Sequence, residues 1–230
     1  MSVLYLYALV GEPPRRGLGR GLHRERLTTL PGRGFHVVVG RMDEAPAADP
    51  AALRGHDAAV RRIAATVDAI LPMRFGSVAP DEETAGRLFA PRAIELAGRL
   101  VHVRGHAQMT LRVYGPRRAA RSRPPAPGSA TTARLGPGAR YLAERRRLHG
   151  AATAPELDPI RPLLDGLVAD ERVQRHLTPP LLASVYHLVP RDRGARYRAR
   201  VARGARQLSP LRVTVSGPWP PYAFGADTWP

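Results

Sequence analysis

Two histidines four residues apart, His102 and His106, have the spacing in this 230-residue chain that most invites a chemical reading. On a helix that interval brings two imidazoles to one face, as a metal site requires. Here Gly105 lies between them, a strand pattern follows at once and no carboxylate accompanies them. Surface or loop histidines are the expectation, and no metal is expected. Asp81-Glu82-Glu83 could be read as paired carboxylates. Acid–base catalysis by such a pair needs a cleft and a raised pKa. A solvated first helical turn offers neither, and three acids there suit the positive end of a helix dipole. Gly17-Leu18-Gly19-Arg20-Gly21 is glycine-rich, but its spacing is not that of a phosphate-binding loop and no clear helix follows. Ser77, Ser129 and Ser184 lack the strand–turn–helix setting of a nucleophile elbow. The chain has no cysteine, so disulfides, thiolate metal sites and a cysteine nucleophile are all excluded. The expectation is a protein without catalytic residues or cofactor.

Binding is the chemistry left, and two segments carry it. Gly217-Pro218-Trp219-Pro220-Pro221-Tyr222-Ala223-Phe224 loses three backbone donors to proline, with φ held near −65° at each. The residue before each proline is pushed to extended geometry as well. This predicts a stiff, non-helical segment that presents Trp219 and Tyr222 at fixed spacing. The two rings either anchor a partner, at little entropic cost, or fold back to close the core of the second domain. Upstream, Arg74-Phe75-Gly76 follows an apolar run. Arg74 and Phe75 either meet a partner or, the preferred reading, Arg74 bonds helix-end carbonyls while Phe75 fills the core. His56 falls on an apolar helix face and is expected at the edge of the core, bonded to a neighbour.

The formal net charge is +17, and every basic residue is arginine. Residues 1–115 hold sixteen Arg against eleven acids, and residues 116–230 twenty against eight. A polyanion partner such as nucleic acid is one reading. A GC-rich coding sequence, which also inflates Ala, Gly and Pro, is the preferred one. Nucleic acid as a partner is not expected.

The elements that must position these residues are legible from periodicity. Val3 to Val10 reads as a buried first strand and not a leader peptide, residues 11–22 as a loop, Phe35 to Val39 as a strand. Asp49-Pro50 opens a helix whose apolar face runs Ala52, His56, Ala59, Ile63, Val67 and Ile70, with Pro72 ending it. Met73 to Val78 is a short strand or turn. Asp81 caps a helix through Leu88 and Phe89, and Pro91 divides it from a second run to Leu100. Met109 to Val113 alternates as a strand. The second half predicts helices at Tyr141 to Arg147, Asp158 to Val173 and residues 192–207, with strands at Leu182 to Val189 and Leu211 to Ser216. Residues 115–134 hold almost no apolar side chain and predict a flexible linker. The fold class is α+β: a ferredoxin-like N-terminal domain over 1–114, its helices on one face of its sheet, the linker, and a C-terminal domain over 135–230. No apolar run is long enough for a membrane span.

Leu71-Pro72-Met73-Arg74-Phe75-Gly76-Ser77-Val78, followed by Asp81-Glu82-Glu83, resembles one signature of the gas vesicle protein GvpL/GvpF family. Gly217 to Phe224 resembles the other. Leu4-Tyr5-Leu6-Tyr7, Tyr141-Leu142 and Val189-Pro190-Arg191 resemble weaker family segments, and all fall in the family's order. Ala8 stands where the family has Gly, and Gln108 where it usually has Glu. The resemblance implies a non-enzymatic accessory protein of gas vesicle assembly, located with the vesicle in the cytoplasm. It implies the hydrophobic shell subunit and other accessory proteins as partners. Arg74, Phe75, Gly76, Trp219, Pro220, Pro221, Tyr222 and Phe224 are the signature residues it points to for partner binding.

Overall fold

A computed structural model of the chain describes residues 2–14, 17–116 and 153–225. It divides into two units. One comprises Met1–Gln108, Leu188–Asp192 and Gly217–Pro230; the other comprises Met109–His187 and Arg193–Ser216. In this partition the proline-rich tail groups with the N-terminal residues. The expected linker beyond Pro116 and the basic helix at Tyr141 lie outside the described residues.

In the first unit, β1 (Val3–Val10) is the central strand. It pairs antiparallel with β3 (His36–Met42), β4 (Ile70–Pro72) and the two-residue β5 (Val78–Ala79). The strand β2 (Leu27–Pro31) pairs antiparallel with the outer side of β3, giving the order β2-β3-β1-β4. The register of β1 against β3 slips between Leu6 and Ala8. Such a bulge shifts the two-residue alternation of side chains. Tyr5 and Tyr7 before the slip, and Ala8 and Val10 after it, therefore enter one cluster with Ala59, Val60 and Ile63. Those three lie on α1 (Pro50–Ala64), which Asp49 caps by accepting from the N–H groups of Ala51 and Ala52 at 2.7 and 2.8 Å. The helix stops short of the expected Pro72. Thr66 turns back on Ile63 O through both its N–H and its hydroxyl, which consumes the carbonyl that would continue the spiral. Val67 and Ile70 are still buried, but beyond the helix.

Leu4, Leu6 and Leu9, outside that cluster, are equally buried. The helix α2 (Glu82–Phe89) packs against β2, and α3 (Ala93–Val103) against β4, with a 3₁₀ turn at Ala90–Arg92 between them. Asp81 caps α2 through Thr84 N–H at 2.7 Å. Helices thus cover both faces of the sheet, not one, as a strand with seven of its eight residues buried demands. The segment Leu27–Pro31, left unassigned from sequence, is a strand through its Thr-Thr-Leu core.

The second unit holds most of a four-stranded sheet in the order β7-β8-β6-β9. Its strands are β6 (His106–Tyr114), β7 (Asp170–Arg175), β8 (Leu181–Pro190) and β9 (Arg212–Trp219). β6 joins this sheet, and the two sheets with their helices give the α+β class expected from sequence. The helix expected over Asp158 to Val173 is three elements. A 3₁₀ segment (Pro155–Ile160) is followed by one turn, α4 (Arg161–Leu164), and then by β7. Pro159 and Pro162 limit the helix, and Gly166 at φ 70° reverses the chain. The helix α5 (Gly194–Ala205) buries Tyr197, Val201 and Gly204. β9 runs past the expected Ser216 through Pro218, which an edge strand tolerates because its outer N–H positions bond no neighbour.

At Gly204 a methyl group would sit 2.6 Å from Ile160 Cγ2 and 2.9 Å from Leu163 Cδ1. Gly204→Ala is expected to destabilise the protein by about 1–3 kcal/mol through overpacking, despite the better helix propensity of alanine. Denaturant unfolding measures this, and a stabilised variant would refute the close α4–α5 contact.

Candidate functional site

The two signature segments meet inside the first unit. Tyr5 and Tyr7 on β1 stand 4.9 Å apart, centroid to centroid, and His56 from α1 stacks on Tyr7 at 5.7 Å. Phe75 closes the group edge-on, 6.2 Å from Tyr5 and 5.8 Å from His56. His56 Nε2 lies 3.2 Å from Met73 O. A carbonyl only accepts, so Nε2 carries the proton, and bare Nδ1 accepts from the Tyr5 hydroxyl at 3.0 Å. The same hydroxyl accepts from Gly76 N–H at 3.1 Å. Gly76 has φ 83°, the left-handed turn that only glycine adopts without strain. Burial lowers the His56 pKa, and burial raises that of Tyr5 to about 12. The Tyr7 hydroxyl donates to Glu25 and accepts from Leu22 N–H at 2.8 Å. The Arg-Phe-Gly turn is therefore held from beneath: Phe75 is half-buried, as preferred from sequence, while Arg74 is exposed.

The C-terminal segment lands on the neighbouring side of α1. Trp219 ends β9, and the Arg61 guanidinium lies 4.2 Å from the centre of its ring. Asp57, one helical turn earlier, holds Arg61 at 2.7 Å. Pro220 and Pro221 are buried. The chain then forms one helical turn, α6 (Tyr222–Gly225), where a non-helical segment is expected from sequence. Three prolines block a helix only up to Pro221; after it the N–H groups are available, and Phe224 N–H closes the turn on Pro221 O at 3.1 Å. Tyr222 packs against the Tyr5–His56 cluster beside Phe75, and burial with the nearby Asp57 carboxylate raises its pKa. Phe224 is fully buried, and α6 packs against β4 and α3. Tyr222 and Phe224 close the core of the first unit, while Trp219 stays half-exposed.

Two residues fix this arrangement whose roles are not apparent from sequence. Gln108, 5% exposed, accepts from Ala223 N–H at 2.8 Å and tethers α6. Arg191 reaches three carbonyls: Val67 O at 2.9 Å, His106 O at 3.2 Å and Asp68 O at 3.5 Å. Burial lowers its pKa. The Val-Pro-Arg match marks Arg191 in the sequence, but nothing there says that it ties loops together.

Beside Trp219 lies an open groove of about 280 Å³. Ala64, Ala65, Ala107, Pro218, Pro220 and Pro221 give it apolar walls, and Arg61, His106 and Arg191 its polar edge. Of the residues singled out from sequence, Trp219 with Pro220 and Pro221 lines this groove. Phe75, Tyr222 and Phe224 serve the core, and Arg74 and Gly76 sit on the exposed turn. His102 lies on α3 and His106 at the start of β6, its Nδ1 2.6 Å from Arg104 O. Among the described residues no three His, Asp or Glu side chains gather as metal ligands would.

The second unit contains a polar cluster that sequence reading missed. Glu171 accepts from His187 Nε2 at 2.7 Å and from both terminal nitrogens of Arg161 at 2.8 and 3.0 Å. The Tyr197 hydroxyl is 2.7 Å from His187 Nδ1. Burial alone would raise the Glu171 carboxyl, but the bonds from His187 and Arg161 outweigh it and hold it at about 2. A tyrosine–histidine–carboxylate chain looks like a proton relay. Tyr197 is fully buried, however, so no substrate reaches the hydroxyl, and the cluster binds α5 to the sheet.

A family model for gas vesicle synthesis protein GvpL/GvpF matches residues 3–226, and the chain belongs to that family. The fold is similar to that of the gas vesicle protein GvpF from Microcystis aeruginosa (TM-score 0.70, 20% identity, 97% of this chain and 98% of that one). It is similar as well to GvpF from Anabaena sp. PCC7120 (TM-score 0.68, 18% identity, 98% of this chain and 96% of that one). No curated protein sequence matches the chain. No helix among the described residues is long and apolar enough to cross a membrane.

Two measurements check the geometry. The pKa of His56 is depressed in the folded state, so the unfolded chain binds the proton more readily below the ordinary histidine value of 6.5. Its contribution to stability is complete above that value and is lost as pH falls through the folded pKa. His56→Gln is expected to flatten the stability profile between about pH 7 and 5 relative to the parent, while the loss below about 4.5 that follows Glu171 persists. Melting curves across this range decide it; an unchanged slope would exclude a neutral buried His56. Gln108→Leu leaves Ala223 N–H without its acceptor and is expected to cost roughly 1–3 kcal/mol. Faster hydrogen exchange at Ala223 and Phe224 than in the parent is the specific readout.

Proposed function

We infer that this chain is a non-enzymatic accessory protein of gas vesicle assembly that holds the hydrophobic shell subunit before it joins the vesicle wall. Family membership carries the biological setting. The observation that carries the binding reading is the groove beside Trp219. It is apolar on its walls and charged at its edge, and its large aromatic is half-exposed on a rigid proline frame. Rigid aromatics next to an arginine are typical of residues that dominate interface energy. Trp219 is held at the end of a strand and over Arg61, so little side-chain freedom is left to lose on binding. The other signature aromatics supply the scaffold. With the polar clusters bonded internally, binding and not catalysis is the use that the exposed side chains support. Other accessory proteins of the same assembly are further partners, and the cytoplasmic face of vesicle growth is the place of action.

Trp219→Ala is expected to weaken capture of the shell subunit by about tenfold or more while the melting temperature moves little. Phe224→Ala is the contrasting variant. It opens the core and is expected to cost about 3–5 kcal/mol, so it loses binding together with fold. Co-purification with the shell subunit, read beside thermal melts, separates the two. Undiminished capture by a folded Trp219→Ala protein would rule out this groove.

A further inference from the structure

The most one-sided electrostatic surface in the described residues is the outer side of α5. From Arg193 to Arg212 the sequence holds seven arginines and no aspartate or glutamate. Genomic composition explains arginine in place of lysine; it does not explain why acids are missing from one helix while they occur on α1, α2 and α3. At least three of the seven are used inside the unit, where Arg193 donates to Gly166 O at 2.8 Å, Arg200 to Leu163 O at 3.4 Å, and Arg212 lies 4.5 Å from the centre of the Tyr114 ring. Arg196, Arg198, Arg203 and Arg206 are exposed. At 100° per residue Arg196 and Arg203 flank one side of the solvent-facing line and Arg198 the other, with only alanines, at 195, 199 and 202, between them.

The field is not cancelled from neighbouring elements. On the segments packed against α5, Glu156 is paired with Arg175, and Asp158 and Glu171 with Arg161. The remaining acids nearby are Asp165, exposed in the loop after α4, Asp170, whose carboxylate accepts from Glu171 N–H at 2.7 Å, and Asp192, exposed directly before the helix. Nor can the chain supply its own counter-charge. Residues 117–152 carry nine arginines and one glutamate by sequence, and a second copy brings a net charge of +17. The complement must be an anionic molecule from outside.

We propose that the arginine face of α5 docks an acidic helical segment of a partner protein. Arg196 and Arg203 are seven residues apart, about 10.5 Å along the axis. Glutamates at three- and four-residue spacing on a facing helix match that interval, and guanidinium groups pair with carboxylates through two parallel bonds. The alanines between them add no bulk to hold a partner helix away. This line of alanines and arginines offers no amide, hydroxyl or aromatic group to contact bases or sugars, which sets nucleic acid below an acidic helix. The inference does not rest on the groove at Trp219, and its test uses different residues and a different probe.

Fluorescence anisotropy on the full chain provides that test. One probe is a labelled alanine-based helical peptide of about 20 residues with glutamates at three- and four-residue spacing. The other is a single-stranded DNA of about 20 nucleotides. The peptide is expected to bind, with affinity that falls as salt rises from about 50 to 300 mM. R196A/R203A is expected to lose about tenfold in affinity, R196K/R203K to stay within about threefold of the parent, and the charge-matched R33A/R54A within about twofold. Absence of peptide binding, tighter binding of the DNA than of the peptide, or equal losses in the two alanine pairs would overturn the proposal.

Discussion

The first unit depends on one buried polar contact, the imidazole of His56 between the Tyr5 hydroxyl and the Met73 carbonyl. Three elements meet there. α1 brings the ring, β1 brings the tyrosine, and the end of β4 brings the carbonyl. Each polar atom would be costly if left unpaired in this interior, since a buried unsatisfied group loses its water without replacement. The contact therefore specifies how α1 sits on the sheet. It also sets where the Arg74–Gly76 turn begins, because the same tyrosine hydroxyl accepts from Gly76 N–H. Apolar burial supplies most of the driving force, at about 1.5–3 kcal/mol for each large side chain. Apolar contact is non-directional, however, and the register of this corner comes from hydrogen bonds.

The two family signatures lie nearly 150 residues apart yet serve one core. Phe75 enters it from the β4–β5 turn, and Tyr222 from the chain terminus. Prolines at 218, 220 and 221 aim the terminal chain so that alternate aromatics go opposite ways: Trp219 toward solvent over Arg61, Phe224 into the interior. Conformational restriction by proline thus does part of the sorting that packing would otherwise have to do alone. Gln108 fits this picture. It accepts a backbone bond in a nearly dry site, and a neutral amide does so without the cost of burying a charge.

Much of this was legible in the sequence. Asp49-Pro50 and Asp81 announced their helices because capping is local chemistry, and β1 was plain because a strand buried on both faces reads as a continuous apolar run. The burial of His56 followed from its place on the helix face. What escaped was set by distant partners. The end of α1 depended on how Thr66 used one carbonyl, β2 on an open edge of β3, and the division of Asp158 to Val173 on two prolines followed by a glycine reversal. The destination of the tail escaped for the same reason. Stiffness is a local property, but the surface a stiff segment meets is not.

Arg191 shows why a signature residue need not be a binding residue. Its guanidinium spends its donors on the backbone carbonyls of Val67, Asp68 and His106. An arginine can serve three such acceptors from one planar group, whereas lysine, a single rotatable point charge, could not hold the same geometry. The groove beside Trp219 has one edge made by this residue, so the shape of the candidate binding surface is set by backbone satisfaction beneath it. Retention of such a residue across a family would follow from folding alone. Trp219 differs from Arg191 in that its ring is half-exposed beside the groove, over the Arg61 guanidinium.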